Sequence, residues 1–410
     1  MGTSQKPFLP AQTATMRPTA CASATRPKVL FVGPTPPPYQ GVAVATDCLL
    51  NSSLADDFQL IHLDTSDRRP MDNSEHLDFM NVYLALVHGF RFCTLLITKR
   101  PSIVYVPIAQ NTLGFLRDSL FMIPARWLGA RLVIHLHGGG FARFYGSANF
   151  LTRRFLRWCL SRVDLAIVLH EKFRNIFGGL VPASRIAVVE NGIVDEFRTV
   201  GRVRDRPRSE RLRVLFLATL VESKGFVDLL HAAPAVLREI PDVEFIFVGD
   251  GTGFPESENA RAWAAERGLQ DQVKFVGPKW GQEKHQALLE ADVLAFPTWY
   301  PYEGQPIVVI EAMAAGLPIV TTRHAAIENT LGENGAIYAR LRDPDDLARQ
   351  LVRLLKDPIL RGAMGRQNRL RFLESYTVDK FATNLGAAFH QVLGVTPEMP
   401  GRVFEASVQS

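Results

Sequence analysis

The chain has 410 residues, 47% of them apolar and 21% charged, with a net charge of +5. That length is too great for one ordinary core and comfortable for two, and the composition excludes wholesale disorder. The mildly basic balance permits an anionic ligand or an anionic membrane surface without requiring either. The four scattered cysteines, Cys21, Cys48, Cys93 and Cys159, form no CxxC pair, which argues against a zinc knuckle or a disulfide framework and for a reducing compartment.

Residues 1–26 are rich in Thr, Ala, Pro and Ser and lack the continuous apolar stretch of a signal peptide. They read as a disordered leader in which Met16 is an alternative start. No uninterrupted apolar run of 18 residues occurs, so no membrane span is expected. From Lys28 onward, short β-branched runs alternate with longer amphipathic stretches. Strands are predicted at 28–33, 59–63, 103–106, 132–136, 165–169 and 186–189, with helices over 42–54, 77–96 and 150–162 among them. Near-continuous hydrophobic strands fit a parallel sheet with helices on both faces. The alternation stops at 201–211, where five arginines and a proline leave almost no apolar side chain. It restarts with strands at 213–217, 243–248, 273–276, 293–296, 319–321 and 336–338. The expected class is α/β: two Rossmann-like, doubly wound parallel-sheet domains facing across a cleft, one over 27–200 and one over 201–376. A last amphipathic helix follows over 377–394, and 395–410 reads as a flexible tail.

Ligands of open parallel sheets lie outside the carboxyl ends of the strands, so the segments just after each strand matter most. The loop from Gly33 to Val42, GPTPPPYQGV, is stiffened by prolines, and Gly41 opens a helix where an anion can dock. A first strand-to-helix turn commonly needs glycine anyway, so both readings stand. In IHLHGGGF (134–141), alternation puts His135 and His137 on the same side of a strand, with His137 nearest the carboxyl end. An imidazole there can hydrogen-bond a sugar hydroxyl or the reacting oxygen, whereas His135 reads as packing. The three glycines would let the backbone approach a ligand closely. The same HGGG string resembles the oxyanion loop of some esterases, but the chain contains no G-x-S-x-G nucleophile elbow. The stretch 150–162 has the composition of an interfacial helix, although a helix packed on the first sheet with an arginine outer face is the plainer reading.

In the second half, Lys224 in LATLVESKG (217–225) follows a strand at a turn into a helix. Its ammonium can bind a diphosphate and gains value as that group leaves. The alternative is a solvated lysine, but its place near a helix start is slightly unfavourable for the helix dipole. VGDGTG (248–253) offers Gly249 for ligand approach and serves equally as a tight turn; its glycine spacing is wrong for a dinucleotide fingerprint. The cluster Asp343-Pro-Asp345-Asp346 reads as a helix N-cap rather than a metal site. The strongest signal is EGQPIVVIEAMAAGLP (303–318). Pro306 suits the first turn of a helix that ends at Gly316, and free N–H groups within the stretch Gly304–Ile307 would face the cleft, with Gly304, Gln305, Pro306 and Ile307 as the donor-binding candidates. Were the segment fully helical, Glu303 and Glu311 would stand about 12 Å apart. That is too far for a glycosidase pair and suits two contacts on one long ligand.

Together these elements resemble the retaining glycosyltransferases of family 4, also called group 1, with the GT-B fold. Glu303 and Glu311 match the family's E-x7-E motif, and Lys224-Gly225, Gly249-Asp250-Gly251, the 190–194 stretch ENGIV, His137 and the Gly41 loop match other parts. The resemblance implies that Glu311 binds ribose, Glu303 contacts the donor sugar, and Lys224 holds the diphosphate with help from backbone around Gly41 and Gly304–Pro306. It places His137 beside the transferred sugar, sends the final helix back to the first domain, and calls for no cofactor and no metal. The partners it implies are a nucleotide-diphosphate sugar and a glycan or lipid-linked acceptor, with peripheral contact to an anionic membrane and no nucleic acid, in the cytoplasm at the inner face of the membrane. Thr219 departs from the family, which usually has arginine there. A nucleotide-sugar epimerase or a non-enzymatic sensor of the same fold is the alternative.

Overall fold

A computed structural model describes residues 26–37, 39–66, 79–198 and 211–395. The expected leader, the linker at 201–210 and the tail after 395 lie outside the described residues. The first half runs β1 (Lys28–Gly33), α1 (Gly41–Leu50), α2 (Leu54–Asp57), β2 (Gln59–Asp64), α3 (Phe79–Lys99), β3 (Ile103–Pro107), α4 (Thr112–Trp127), β4 (Arg131–Leu136), α5 (Phe141–Ser147), α6 (Phe150–Leu160), β5 (Leu165–Val168) and β6 (Ile186–Val188). The second half runs β7 (Leu212–Leu217), α7 (Phe226–Glu239), β8 (Val243–Val248), α8 (Pro255–Glu266), β9 (Val273–Gly277), α9 (Gly281–Glu290), β10 (Val293–Phe296), α10 (Ile307–Ala314), β11 (Ile319–Thr322), α11 (Ile327–Leu331), β12 (Ala336–Ala339), α12 (Pro344–Lys356), α13 (Pro358–Ser375) and α14 (Val378–Leu393). Every predicted strand is present, displaced by at most one residue at an end, because a strand buried on both faces is legible as a bare hydrophobic run.

The strands form two six-stranded sheets, ordered β2-β1-β3-β4-β5-β6 and β12-β11-β10-β7-β8-β9, with all pairs parallel. In each the order reverses once, between β1 and β3 in the first and between β7 and β10 in the second. Ligands favour the crevice at such a reversal.

Alternation along the strands divides the first core in two. Leu30, Val104, Ile134 and Val168 face α3, α4 and α6, while Phe31, Tyr105, Val133 and Ile167 face α1, α2 and α14. The last helix therefore packs on the first sheet. Its buried Phe389 sets its ring against Phe31, Phe58 and Tyr105 at 6.1, 5.5 and 6.0 Å. A bridge between Ile193 and Thr377 ties together the two points where the chain passes between halves. Asp343 caps α12 by accepting from the Asp346 amide, which agrees with the N-cap reading of that acidic cluster. In α6, Leu156, Cys159 and Leu160 are buried and the arginines stand outside, so the packed reading of that helix holds. Among the described residues one helix is long and apolar enough to cross a membrane by length and composition, at Val82–Lys99 in α3. Its Phe92 and Leu96 are built into the core of the first sheet.

Candidate functional site

Lys224 and Glu303 follow β7 and β10, the two strands that meet at the reversal of the second sheet. After β7 the chain makes a short 3-10 turn at Glu222–Lys224 and then Gly225 with φ 88°, which only glycine adopts readily. A Cβ on Gly225 would also stand 2.3 Å from the Pro297 carbonyl oxygen, so the two loops touch through this glycine. The turn throws Lys224 toward the β10 loop. Its Nζ lies 2.8 Å from Glu303 Oε2, and the Thr298 hydroxyl donates to the same oxygen at 3.2 Å. The ammonium also stands 4.4 Å from the centre of the Tyr300 ring. The side chains of Lys224 and Glu303 are 21% and 8% exposed, enough shielding from water to strengthen the pair.

A second ion pair holds the other glutamate of the motif. Glu311, inside α10, accepts from Lys284 of α9 at 2.5 Å. Only Ile307–Ala314 is helical, so the straight-helix separation of the two glutamates does not apply; Glu303 belongs to the preceding loop. Pro306 is likewise not inside the helix. It is the N-cap residue, with an extended ψ of 124°, because the chain must still turn out of the β10 loop.

From the first domain, α1 points its N-terminus at the same place. A Cβ on Gly41 would lie 3.8 Å from the Ile307 side chain, so the N-termini of α1 and α10 face each other across the cleft. Exposed amides and aligned peptide dipoles at both ends favour an anion between them. Beside them Tyr39 stacks on Trp280, one ring from each half, 5.9 Å apart.

His137 follows β4, half-buried, with its ring 3.9 Å from that of His135. Burial drives the His137 pKa down to about 4, opposed by a hydrogen bond to the Asn191 side chain. It is therefore a neutral imidazole at pH 7, with one N–H to donate and one lone pair to accept. His135 is fully buried, bonds the Tyr105 hydroxyl at 2.6 Å and has its pKa lowered by burial and then by His137, which agrees with a packing role.

Three expectations need correction. The HGGG glycines make their close approach to the other domain, not to open cleft. A Cβ on Gly139 would lie 2.3 Å from the Glu303 carbonyl oxygen, one on Gly140 would strike the Tyr302 ring, and one on Gly304 would meet the His137 carbonyl at 2.6 Å. The Gly139 amide donates to the Tyr302 carbonyl across the same seam. The Gln305 side chain is buried and committed to protein partners: it accepts from the Asn191 amide at 2.7 Å and donates to Thr330 at 3.1 Å. Gly249 is explained by packing, since a Cβ there would strike the Ala218 carbonyl of the neighbouring turn. Reading the sequence missed Lys284 and Thr298. A lysine near a helix start was the available signal for Lys284, as it was for Lys224; Thr298 had none.

Residues 211–357 match the family model of glycosyl transferases group 1, and residues 55–192 match the glycosyl transferase 4-like domain. The GDP-mannose-dependent alpha-(1-6)-phosphatidylinositol monomannoside mannosyltransferase of Mycobacterium tuberculosis is 30% identical over 229 residues, 52% of this chain and 57% of the relative. The corresponding monoacylated-substrate enzyme of Corynebacterium glutamicum is 32% identical over 155 residues, 37% of this chain and 39% of the relative. The amylovoran biosynthesis glycosyltransferase AmsK of Erwinia amylovora is 32% identical over 178 residues, 42% of each chain. The chain thus spans roughly two-fifths to three-fifths of the curated relatives it matches. Among solved structures, sucrose-phosphate synthase of Thermosynechococcus elongatus aligns with a TM-score of 0.72 at 16% identity, covering 90% of this chain and 100% of that one. HepE of Anabaena, in complex with UDP, aligns with a TM-score of 0.66 at 16% identity, covering 89% and 100%. These likenesses establish the two-domain fold.

Proposed function

The chain belongs to the group 1 glycosyl transferases, and on that premise we propose that it moves a sugar, with retention, from a nucleotide-diphosphate sugar to a lipid-linked or polysaccharide acceptor. The observation that carries this reading is the Lys224–Glu303 pair at 2.8 Å, set at the reversal of the second sheet beside two opposed helix N-termini. A diphosphate placed there meets Lys224 and the amide ends of α1 and α10. The bond from the sugar's anomeric carbon to the diphosphate oxygen breaks, and the oxygen keeps the electron pair. Lys224 and the helix ends stabilise that growing charge, the step in which fixed charge helps most. The acceptor oxygen bonds the anomeric carbon on the same face, and its proton passes to the departing diphosphate.

Glu303 contacts the donor sugar and Glu311 the ribose. Neutral His137 can donate to a sugar hydroxyl without adding a charge that would compete for the diphosphate. With no arginine at position 219, Lys224 carries more of the diphosphate charge. The relatives named for GDP-mannose and for phosphatidylinositol mannosides favour a hexose donor and a lipid-linked acceptor; our reading puts the reaction in the cytoplasm, at the inner face of a membrane. The missing nucleophile elbow disfavours the esterase alternative. A thermal-shift panel of GDP-mannose, UDP-glucose and other nucleotide sugars tests donor binding, since a ligand of the folded state raises its melting temperature. Product analysis then separates transfer, which makes a new glycosidic bond, from epimerisation of the donor. A chain that no nucleotide sugar stabilises is not this enzyme.

A further inference from the structure

Tyr39 and Trp280 stack on each other from opposite sides of the cleft, yet the contact leaves them 51% and 48% exposed. Tyr39 ends the proline-rich loop after β1, just ahead of Gln40, the N-cap residue of α1. Trp280 is the N-cap residue of α9 and has an extended backbone. Their planes are inclined by 30° with the ring centres 5.9 Å apart. Neither ring belongs to the core of its own domain, so each offers a flat apolar face to whatever enters between the halves.

Helical spacing leads from the anion position to this stack. The facing ends of α1 and α10 meet at Gly41 and Ile307. Glu311 lies four positions after Ile307 on α10, one turn away, and accepts from Lys284 at 2.5 Å. Trp280 lies four positions before Lys284, one turn back along α9. Positions four apart on a helix are neighbours at about 5–6 Å between Cβ atoms. On the first domain Tyr39 stands two positions before Gly41, so it too lies one step beyond the anion position. A donor with its diphosphate at the helix ends and its ribose at Glu311 has one part left to place, a flat base, and the next surface is the Trp280 ring.

We propose that Tyr39 is a stand-in for the base of the donor: the base stacks on Trp280 and displaces Tyr39 to do so. The inference rests on the proposed reading of the donor as a nucleotide-diphosphate sugar. Ring separation decides between displacement and insertion. A base held between two rings needs about 7 Å from one to the other, two contacts of about 3.5 Å. The rings are 5.9 Å apart at their centres, so the space between them is too thin and one ring must leave. Tyr39 is the one that leaves, because Trp280 is tied to the helix that carries Lys284. A base on an aromatic side chain is worth about 5- to 150-fold in affinity, and an aromatic pair of side chains about 2- to 13-fold, so the base wins the exchange. A ligand without a base, such as inorganic pyrophosphate, has nothing to put in place of Tyr39. The stack thereby favours whole nucleotides over their phosphate fragments, and it opens a contact between the two domains each time a nucleotide enters.

Titration calorimetry of the full chain with GDP, UDP and inorganic pyrophosphate tests it, with thermal unfolding to show that each variant is folded. Trp280→Ala should weaken GDP and UDP about tenfold or more and leave pyrophosphate binding unchanged. Trp280→Phe keeps a flat ring and should recover most of the loss. Tyr39→Ala should tighten GDP and UDP by about 2- to 13-fold, because the competing ring is gone. The same substitution should do nothing in the Trp280→Ala background, since Tyr39 competes only through Trp280. Equal GDP and UDP binding by wild type and Trp280→Ala, or a loss that pyrophosphate shares, would overturn the proposal. So would weaker nucleotide binding in Tyr39→Ala, which would make Tyr39 part of the base site and not its stand-in. The two readings part at the wild type. A wild type that binds neither GDP nor UDP ends the donor reading and this inference with it, whereas nucleotide binding indifferent to Trp280 ends this inference alone.

Discussion

Replacing Lys224 by alanine removes one charge from a pair that is neither fully buried nor exposed. Deleting one partner of a buried pair costs about 3–5 kcal/mol and of a surface pair about 0–1. With side chains 21% and 8% exposed, the cost should fall between, near 2 kcal/mol, because Glu303 keeps its Thr298 hydrogen bond but loses its cation. In a domain of this size that lowers Tm by about 4–8 °C. The effect on turnover should be larger: losing a preorganised donor to the departing diphosphate costs about 100- to 1,000-fold in kcat. Adding Glu303→Gln separates the two effects. It removes the stranded carboxylate and should recover most of the stability, while turnover stays lost because the diphosphate still lacks its cation. The assays are thermal unfolding and sugar transfer at a temperature where each variant is folded. Turnover that falls only in proportion to the unfolded fraction, or returns with the second substitution, would show that Lys224 serves the fold and not the reaction.

Glu311→Gln should raise the donor Kd about tenfold to a hundredfold while kcat at saturation changes little; titration calorimetry of the nucleoside diphosphate checks this, and unchanged affinity removes Glu311 from ribose binding. The unfolded His137 titrates near 6.5 and the folded one near 4, so the unfolded state takes up the proton first as pH falls. The stability His137 contributes is complete above pH 6.5 and is lost between 6.5 and 4, about 3 kcal/mol in all; denaturant midpoints across that range should flatten in His137→Asn. Gly139→Ala should abolish transfer yet leave the first domain's melting intact, since the new Cβ would lie 2.3 Å from the Glu303 carbonyl and force the domains apart; small-angle scattering should report a larger radius of gyration.

The strands and the order of the two halves were readable because parallel sheets bury both strand faces and leave few other patterns in the sequence. The pairing of the strands is long-range, and with it went the meeting of Lys224 and Glu303, which stand 79 positions apart. Their motif contexts suggested a shared ligand, not a shared hydrogen bond. Glycine was the least legible residue. It signals that something comes close without saying what, so Gly138–Gly140 suggested a ligand when the neighbour is Tyr302–Gly304, and Gly249 suggested one when the neighbour is Ala218. Helical periodicity had a similar limit in α3. The apolar residues over 77–96 indicated a helix, but which of its stripes meets the sheet is decided by packing.

The two ion pairs bear on how the proposed donor would be recognised. Lys224 with Glu303 and Lys284 with Glu311 are each formally neutral and already hydrogen-bonded. A ligand must therefore compete with a carboxylate for each ammonium rather than find it free. A sugar hydroxyl is too weak an acceptor to do so alone, whereas a diphosphate brings full negative charge to Lys224 and draws on the ends of α1 and α10 as well. As Lys224 turns to the diphosphate, Glu303 loses its cation and becomes the strongest acceptor for the hydroxyls of the attached sugar. Contact with the sugar then depends on the diphosphate having bound, so a free hexose should bind poorly while the intact donor engages both halves of the pair.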